Sequence, residues 1–431
     1  MSDDSRDNRI NAPVARQQEI YMGGLGGRRP AVPVDMAALE TAAARRMSRE
    51  GHAYIAGGAG REDTMARNLD AFGEWRIVPR MLRDVSQRDT SVTLFGRRLP
   101  SPLLLSPVGV LEMAHAQADL AVARAAAAEG VPYIFSNQAS VPMETCAAAM
   151  DDAPRWFQLY WSKSDELVES LVARAEACGC EAIVVTLDTT LLGWRTRDLD
   201  LAYLPFLRGM GIAQYTSDPV FLRMLDQPLP EGAGDSRPPV NLHTIRAVLQ
   251  AARNFPDGFW PSLTSGRALA AVRRFIATYS RPSLTWNDLA FLRERTRLPI
   301  LLKGILDPAD AARAVDHGVD GLIVSNHGGR QVDGSVSTLE QLPRIAEAVA
   351  EQIPIVMDSG IRGGADMFKA LALGATAVGI GRPYCYGLAA GGEDGVREVI
   401  GNLKTDFELT MALAGCKSVA EITRERLVPA G

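Results

Sequence analysis

A histidine and an arginine three residues apart, His327-Gly328-Gly329-Arg330, follow directly on the apolar run Gly321–Asn326. Histidine titrates nearest neutrality, so at a strand end it can take and return a proton. Asp188 closes another apolar run and can orient that ring. Arg330 can hold a carboxylate through two parallel N–H bonds. A lone histidine is more often a satisfied structural residue, but the spacing to Arg330 and the strand-end position favour chemistry here. His52, His115, His243 and His317 keep the structural reading, His317 as the last turn of a helix before Gly318. Cys178-Gly179-Cys180 has no further Cys/His pair near it, so no metal site is expected.

A second group of residues suits anions and a flat ring. Gly381-Arg382, with Gly360 and Arg362 beside them, offers backbone N–H groups plus cations, the usual phosphate site of a barrel. The alternative is a plain glycine turn with a solvated arginine. Asp358 can accept from polyol hydroxyls. Ser136, Gln158 and Thr186 carry the hydroxyl and amide groups that the polar edge of a heterocycle needs. Lys303 ends an apolar strand and requires an anionic partner. Together they point to a phosphorylated, ring-bearing cofactor.

These groups need a scaffold that brings many strand ends to one face. Short apolar runs occur at Leu103–Val110, Val131–Asn137, Arg155–Trp161 and Ala182–Asp188. Four more follow at Pro299–Ile305, Gly321–Asn326, Ile353–Asp358 and Ala377–Gly381. Helical spacing fills the intervals at Asp119–Glu129, Asp165–Cys178, Pro308–His317, Leu339–Val349 and Ala365–Leu373. Continuous Val/Ile/Leu runs are what strands buried on both faces require, and alternation with helices implies parallel pairing. Eight repeats with polar strand ends favour an α/β fold of the closed (β/α)8 TIM-barrel type over an open doubly wound sheet. Residues 1–35 read as an N-terminal arm, and 36–431 as one barrel domain. Helices are expected near 35–50 and over Ala53–Leu69. Residues 205–284 form an insertion after strand four, read as a lid with a helix near 243–253.

Composition excludes several classes. The chain has 431 residues, 46 basic and 51 acidic, with a net charge of −5, so it lacks the basic footprint of a nucleic-acid binder. No apolar run is long enough for a membrane span, and the acidic start is unlike a signal peptide. Five scattered cysteines do not make a disulfide framework. A cytoplasmic enzyme is the expectation.

The heptad Ser325–Gln331 resembles the active-site signature of the FMN-dependent α-hydroxy-acid oxidases and dehydrogenases. The likeness extends to Tyr54–Gly58, Phe157–Tyr160, Thr186–Thr189, Leu302–Gly304, Asp358–Gly364 and Gly379–Pro383, in order, over about residues 35 to 428. Within the family it is greatest to the lactate 2-monooxygenase branch. Glu19-Ile20-Tyr21, the stretch Leu204–Gly209 followed by Tyr215–Phe221, and Gly109 in place of the common alanine carry that likeness. The resemblance implies FMN, a small L-2-hydroxy acid such as lactate, O₂, and a homo-tetramer or octamer. It makes His327 the base, Asp188 its orienter, and Lys303 the cation beside flavin N1. Tyr54, Tyr160, Arg195, His327 and Arg330 would hold the substrate. Pro107, Val108, Gly109, Ser136, Gln158, Thr186, Lys303 and Ser325 would contact the flavin ring or ribityl chain. Asp358, Gly360, Arg362, Gly381 and Arg382 would take ribityl and phosphate. Gln138 stands where glycolate oxidase has a tryptophan. The rival readings are a peroxide-releasing oxidase, a dehydrogenase using an electron carrier, and a non-redox sugar-phosphate binder.

Overall fold

A computed structural model of the protein describes residues 12–229 and 239–431. Eight strands form a closed barrel: β1 (Leu103–Leu105), β2 (Tyr133–Phe135), β3 (Arg155–Leu159), β4 (Ile183–Thr186), β5 (Ile300–Ile305), β6 (Gly321–Val324), β7 (Ile355–Met357) and β8 (Ala377–Ile380). Each strand pairs in parallel with its sequence neighbours, and β8 closes on β1 through Leu103, Leu104 and Leu105. Helices Ala118–Glu129, Asp165–Ala177, Pro308–Asp316, Thr338–Val349 and Gly364–Ala372 lie where the apolar spacing put them. The strands are shorter than the apolar runs, and in seven of the eight the last residues of the run leave the ladder.

Successive side chains on a strand point to opposite faces, which sorts the barrel into layers. One residue from each strand (Leu104, Ile134, Trp156, Val184, Leu301, Ile323, Val356 and Ala377) forms an inner apolar cluster. It is joined by Leu94 and Leu99 of a hairpin, Val92–Leu94 and Arg97–Leu99, with the Phe95 ring 5.5 Å from Trp156. The cluster closes one end of the barrel. Two residues further along each strand, on the same inner face, stand Ser106, Ser136, Gln158, Thr186, Lys303, Ser325, Asp358 and Gly379. Seven of these eight are polar and buried, so the apolar plug carries a polar ring.

Three segments differ from expectation. The described part of the arm contains a helix, Ala12–Leu25, in which Arg16 bonds Glu398 at 2.5 Å and Asn402 at 3.0 Å. The helix expected over Ala53–Leu69 is two helices, Arg49–Ala56 and Asp63–Asp70, separated by Gly57, Gly58 and Gly60. Ser48 caps the first of them, and its hydroxyl accepts from Gly51 N. The insertion is mostly helical: Ala213–Thr216, Pro219–Met224, Leu242–Asn254, Phe259–Ser265 and Arg267–Thr278. Asn241 and Thr244 form a capping box that starts the third of these. The proline-rich piece 230–238 lies outside the described residues, as do residues 1–11 of the arm. Phe275 packs the insertion against itself, among Phe206, Tyr215 and Tyr279, with ring centroids 5.2, 4.8 and 5.0 Å away. Burying one such ring contributes roughly 1.5–3 kcal/mol.

Candidate active site

The polar ring is stitched internally. Lys303 Nζ donates to Ser325 Oγ at 2.6 Å and lies 3.2 Å from Asp358 Oδ2, the anionic partner its position demanded. Asp358 also accepts from Ser106 Oγ (3.1 Å) and Ser359 Oγ (2.9 Å). Gln158 Oε1 accepts from Asn137 N at 3.0 Å and Ser136 Oγ at 3.5 Å. Two buried polar atoms of the ring, Gln158 Nε2 and Thr186 Oγ1, have no partner among the described residues. Such atoms are costly to leave unmet. An amide N–H and a hydroxyl left free in this way could bond the polar edge of a heterocycle.

Above the ring lies a cavity. Pro107, Val108, Gly109, Tyr160, Lys303, Asp358, Gly360, Arg362, Gly381 and Arg382 line it, together with Tyr54, Arg195, His327 and Arg330. Ser136, Gln158, Thr186 and Ser325 lie in the ring rather than on the cavity wall. Asp188 is likewise off the wall, behind His327. Sequence reasoning missed several lining residues: Thr189, Ser359 and, from the insertion, Phe206, Phe275, Ile276 and Tyr279. The lid reading covered all four as a segment, but nothing local marks Phe275, Ile276 or Tyr279, because only tertiary packing brings the end of Arg267–Thr278 to the cavity.

His327 and Asp188 form the pair expected, with Nδ1 2.9 Å from Oδ1. Thr189 Oγ1 bridges them, 3.1 Å from Asp188 Oδ1 and 3.4 Å from His327 Nδ1. A bulge at Gly304 makes room for the carboxylate. Gly304 has φ +104°, and a Cβ there would stand 2.9 Å from Asp188 Cβ. Burial pushes Asp188 up, but the charges of His327 and Lys303 and two hydrogen bonds outweigh it and hold the carboxyl at about 2. Burial pulls His327 below its ordinary value despite Asp188. At neutral pH the pair is therefore a carboxylate and an uncharged imidazole whose Nε2 is free of it. That is the protonation state a base requires.

Cations crowd the opposite wall. The Arg330 and Arg195 guanidinium carbons lie 5.0 and 5.8 Å from the centre of the Tyr54 ring. Arg330 Nη1 donates to Tyr54 O and, at 2.9 Å, to Gly57 O. Arg195 donates to Arg330 O at 3.3 Å and to Gln331 Oε1 at 3.1 Å. Arg382 donates to Ile55 O, Gly328 O and Gly57 O at 3.2, 2.9 and 2.9 Å. Burial and the neighbouring Arg195 draw Arg330 down to about 9, and burial lowers Arg362 and Arg382. Backbone carbonyls satisfy the N–H groups without neutralising the charge, so the wall suits two anions. Burial pushes the Tyr160 hydroxyl up, with Asp188 adding to it, so it remains a donor. Among the described residues no group of three or more His, Cys, Asp or Glu could hold a metal ion.

A closed parallel barrel with a polar strand-end ring, an imidazole–carboxylate pair and buried arginines is the site architecture of a (β/α)8 enzyme that handles anions, and the family match makes it an FMN oxidoreductase. The sequence matches the FMN-dependent dehydrogenase family over residues 43–429. The chain belongs to that family, whose cofactor is FMN. It is 42% identical over 396 residues to an L-lactate oxidase of Lysinibacillus sphaericus, covering 92% of this chain and 93% of that protein. Human 2-hydroxyacid oxidase 1 is 39% identical over 371 residues, covering 86% and 90%. A mandelate oxidase solved with benzoyl-formic acid superposes with a TM-score of 0.72 at 36% identity, covering 92% of this chain and 98% of that one. Among the described residues no helix is long and apolar enough to cross a membrane.

Proposed function

We propose that this protein oxidises a small L-2-hydroxy acid, with L-lactate the best candidate, to the 2-oxo acid using FMN. The observation that carries this reading is the His327 ring, 2.9 Å from Asp188 through Nδ1, lining the same cavity as the Arg195–Arg330–Tyr54 cluster. FMN, when bound, supplies the acceptor for two electrons. Gln158 and Thr186 offer their unpartnered amide and hydroxyl to its ring. Lys303 places a cation where reduction builds negative charge. Arg362, Arg382 and the Gly381 backbone take its phosphate, and Asp358 a ribityl hydroxyl. Arg330, Arg195 and the Tyr54 hydroxyl bind the substrate carboxylate, and Tyr160 donates to a substrate oxygen. His327 Nε2 takes the proton of the 2-hydroxyl, and Asp188 stabilises the resulting imidazolium.

For the oxygen half-reaction we favour monooxygenation: lactate and O₂ yield acetate, carbon dioxide and water while the 2-oxo acid stays bound. Support comes from the long insertion, which lends Phe206, Phe275, Ile276 and Tyr279 to the cavity wall, and from Gly109. A Cβ at position 109 would stand 3.0 Å from Gln138 Cβ and Gln138 O, so glycine lets Gln138 approach this part of the cavity wall more closely than alanine would allow. A cytoplasmic homo-oligomer in one barrel domain completes the reading. Anaerobic bleaching of the bound FMN by a panel of 2-hydroxy acids tests the oxidation. Product analysis in air tests the rest. Equal amounts of peroxide and pyruvate would establish a simple oxidase, and negligible reaction of reduced enzyme with O₂ a dehydrogenase.

A further inference from the structure

The insertion is tied to the barrel by a carboxylate outside the site described above. Glu112 lies in the turn Leu111–Met113 that follows β1, three residues beyond Gly109. Its Oε1 accepts from Gly211 N at 3.0 Å, and its Oε2 from Asn254 Nδ2 at 3.1 Å. Gly211 belongs to the start of the insertion, and Asn254 ends its helix Leu242–Asn254. The Asn254 amide also donates to Gly209 O at 3.3 Å, so one carboxylate and one amide pin two separate stretches of the insertion together. Glu112 N donates to Ser140 Oγ at 3.1 Å, which fixes the turn from the barrel side. Gly211 presses on this turn: its φ is +67°, and a Cβ there would stand 2.5 Å from Val110 Cγ2.

Among the described residues no cation pairs with Glu112. Its carboxylate accepts from two N–H donors of the insertion, with the Ser140 side chain adding a contact from the barrel side. A partly buried carboxylate without a cation depends on such donors, and two of the three leave with the insertion, so most of the compensation for its desolvation holds while the insertion is seated. Lifting the insertion breaks both bonds at once.

We infer that Glu112 is a positioning residue, a clasp that seats the insertion and its Phe206–Phe275 wall over the cavity and sets how long a 2-oxo acid is retained. The inference rests on the cavity being the reaction site proposed above. Its test reads the insertion separately. FMN-loaded wild type, Glu112→Ala, Asn254→Ala and the double variant are digested briefly with trypsin, and cleavage at Arg246 and Arg253 is timed. Pyruvate dissociation is followed by the spectral change of the bound FMN. The expected result is about tenfold faster cleavage and pyruvate release for each single variant. The double variant should add little to either single, with FMN content and anaerobic reduction at saturating substrate within about twofold of wild type. Glu112→Gln, which keeps the shape and one acceptor, should fall between. Unchanged cleavage, or fully additive effects, would overturn the clasp. So would a loss confined to FMN binding, which would make Glu112 part of the fold and not of the lid. Wild type that is bleached by no hydroxy acid would refute the proposed substrate class, while the cleavage pattern would still judge the clasp.

Discussion

Replacing Asp188 with asparagine perturbs the proposed base while leaving its volume in place. Asp188 Oδ1 sits 2.9 Å from His327 Nδ1, and the carboxyl is held at about 2 against an ordinary 3.8. At about 1.4 kcal/mol per factor of ten in acidity, its surroundings favour the carboxylate by about 2.5 kcal/mol over free aspartate. Coupling is mutual, so the imidazolium formed during oxidation draws on the same interaction, shared with Lys303 and Thr189. Losing it should slow flavin reduction by about tenfold to 10²-fold, and more where the amide inverts the tautomer of His327. The assay is anaerobic stopped-flow bleaching of bound FMN by the hydroxy acid, at matched FMN content. A second signature has a fixed sign. Asp188 raises the affinity of His327 for a proton, so its removal should move the acid limb of kcat/KM to lower pH. Bleaching within twofold of wild type, with the acid limb unmoved, would show that Asp188 does not act through His327.

His327→Gln should retain yellow FMN yet lose bleaching by substrate; near-normal reduction would remove His327 as the base. Arg330→Lys keeps the charge but loses the planar fork and its stack on Tyr54, so KM should rise about 10²-fold with a smaller change in kcat, read in steady-state kinetics. Asp119 is fully buried under Tyr133 OH, Ser140 N and Val141 N, and burial pushes it up to about 7. The folded state therefore binds a proton that the unfolded chain has released above about pH 4. Stability falls with rising pH between about 4 and 7, by at most about 1.4 kcal/mol per pH unit from this group. Asp119→Asn should flatten that slope in denaturant titrations, and an unchanged slope would assign it elsewhere.

The barrel was legible because each strand is a dense apolar run whose last residues turn polar. Lys303 at the end of Ile300–Ile305 is the plainest case: a charge there needs a partner, and Asp358 supplies it. The catalytic-looking pair was legible for the same reason, since His327 and Asp188 both end strands two apart in the barrel. Less visible was the distinction between ring and wall. The sequence placed Ser325 at a strand end without its partners, Lys303 Nζ and His327 N, from both of which its hydroxyl accepts, at 2.6 and 3.1 Å. Partners of that kind depend on strand register, which apolar runs alone do not specify. Phe275 and Tyr279 were out of reach, because nothing local to residues 267–279 says that their helix folds back on Phe206 and the cavity.

The apolar plug has a consequence for traffic. With Phe95 against Trp156 and Leu104, Ile134, Val184 and Leu301 behind them, the described residues close the barrel at that end and leave the side of the polar ring as the doorway. Arriving hydroxy acid and departing 2-oxo acid must use that doorway in turn. Successive turnovers therefore queue, and any change that widens the mouth alters the order of events as well as their speed.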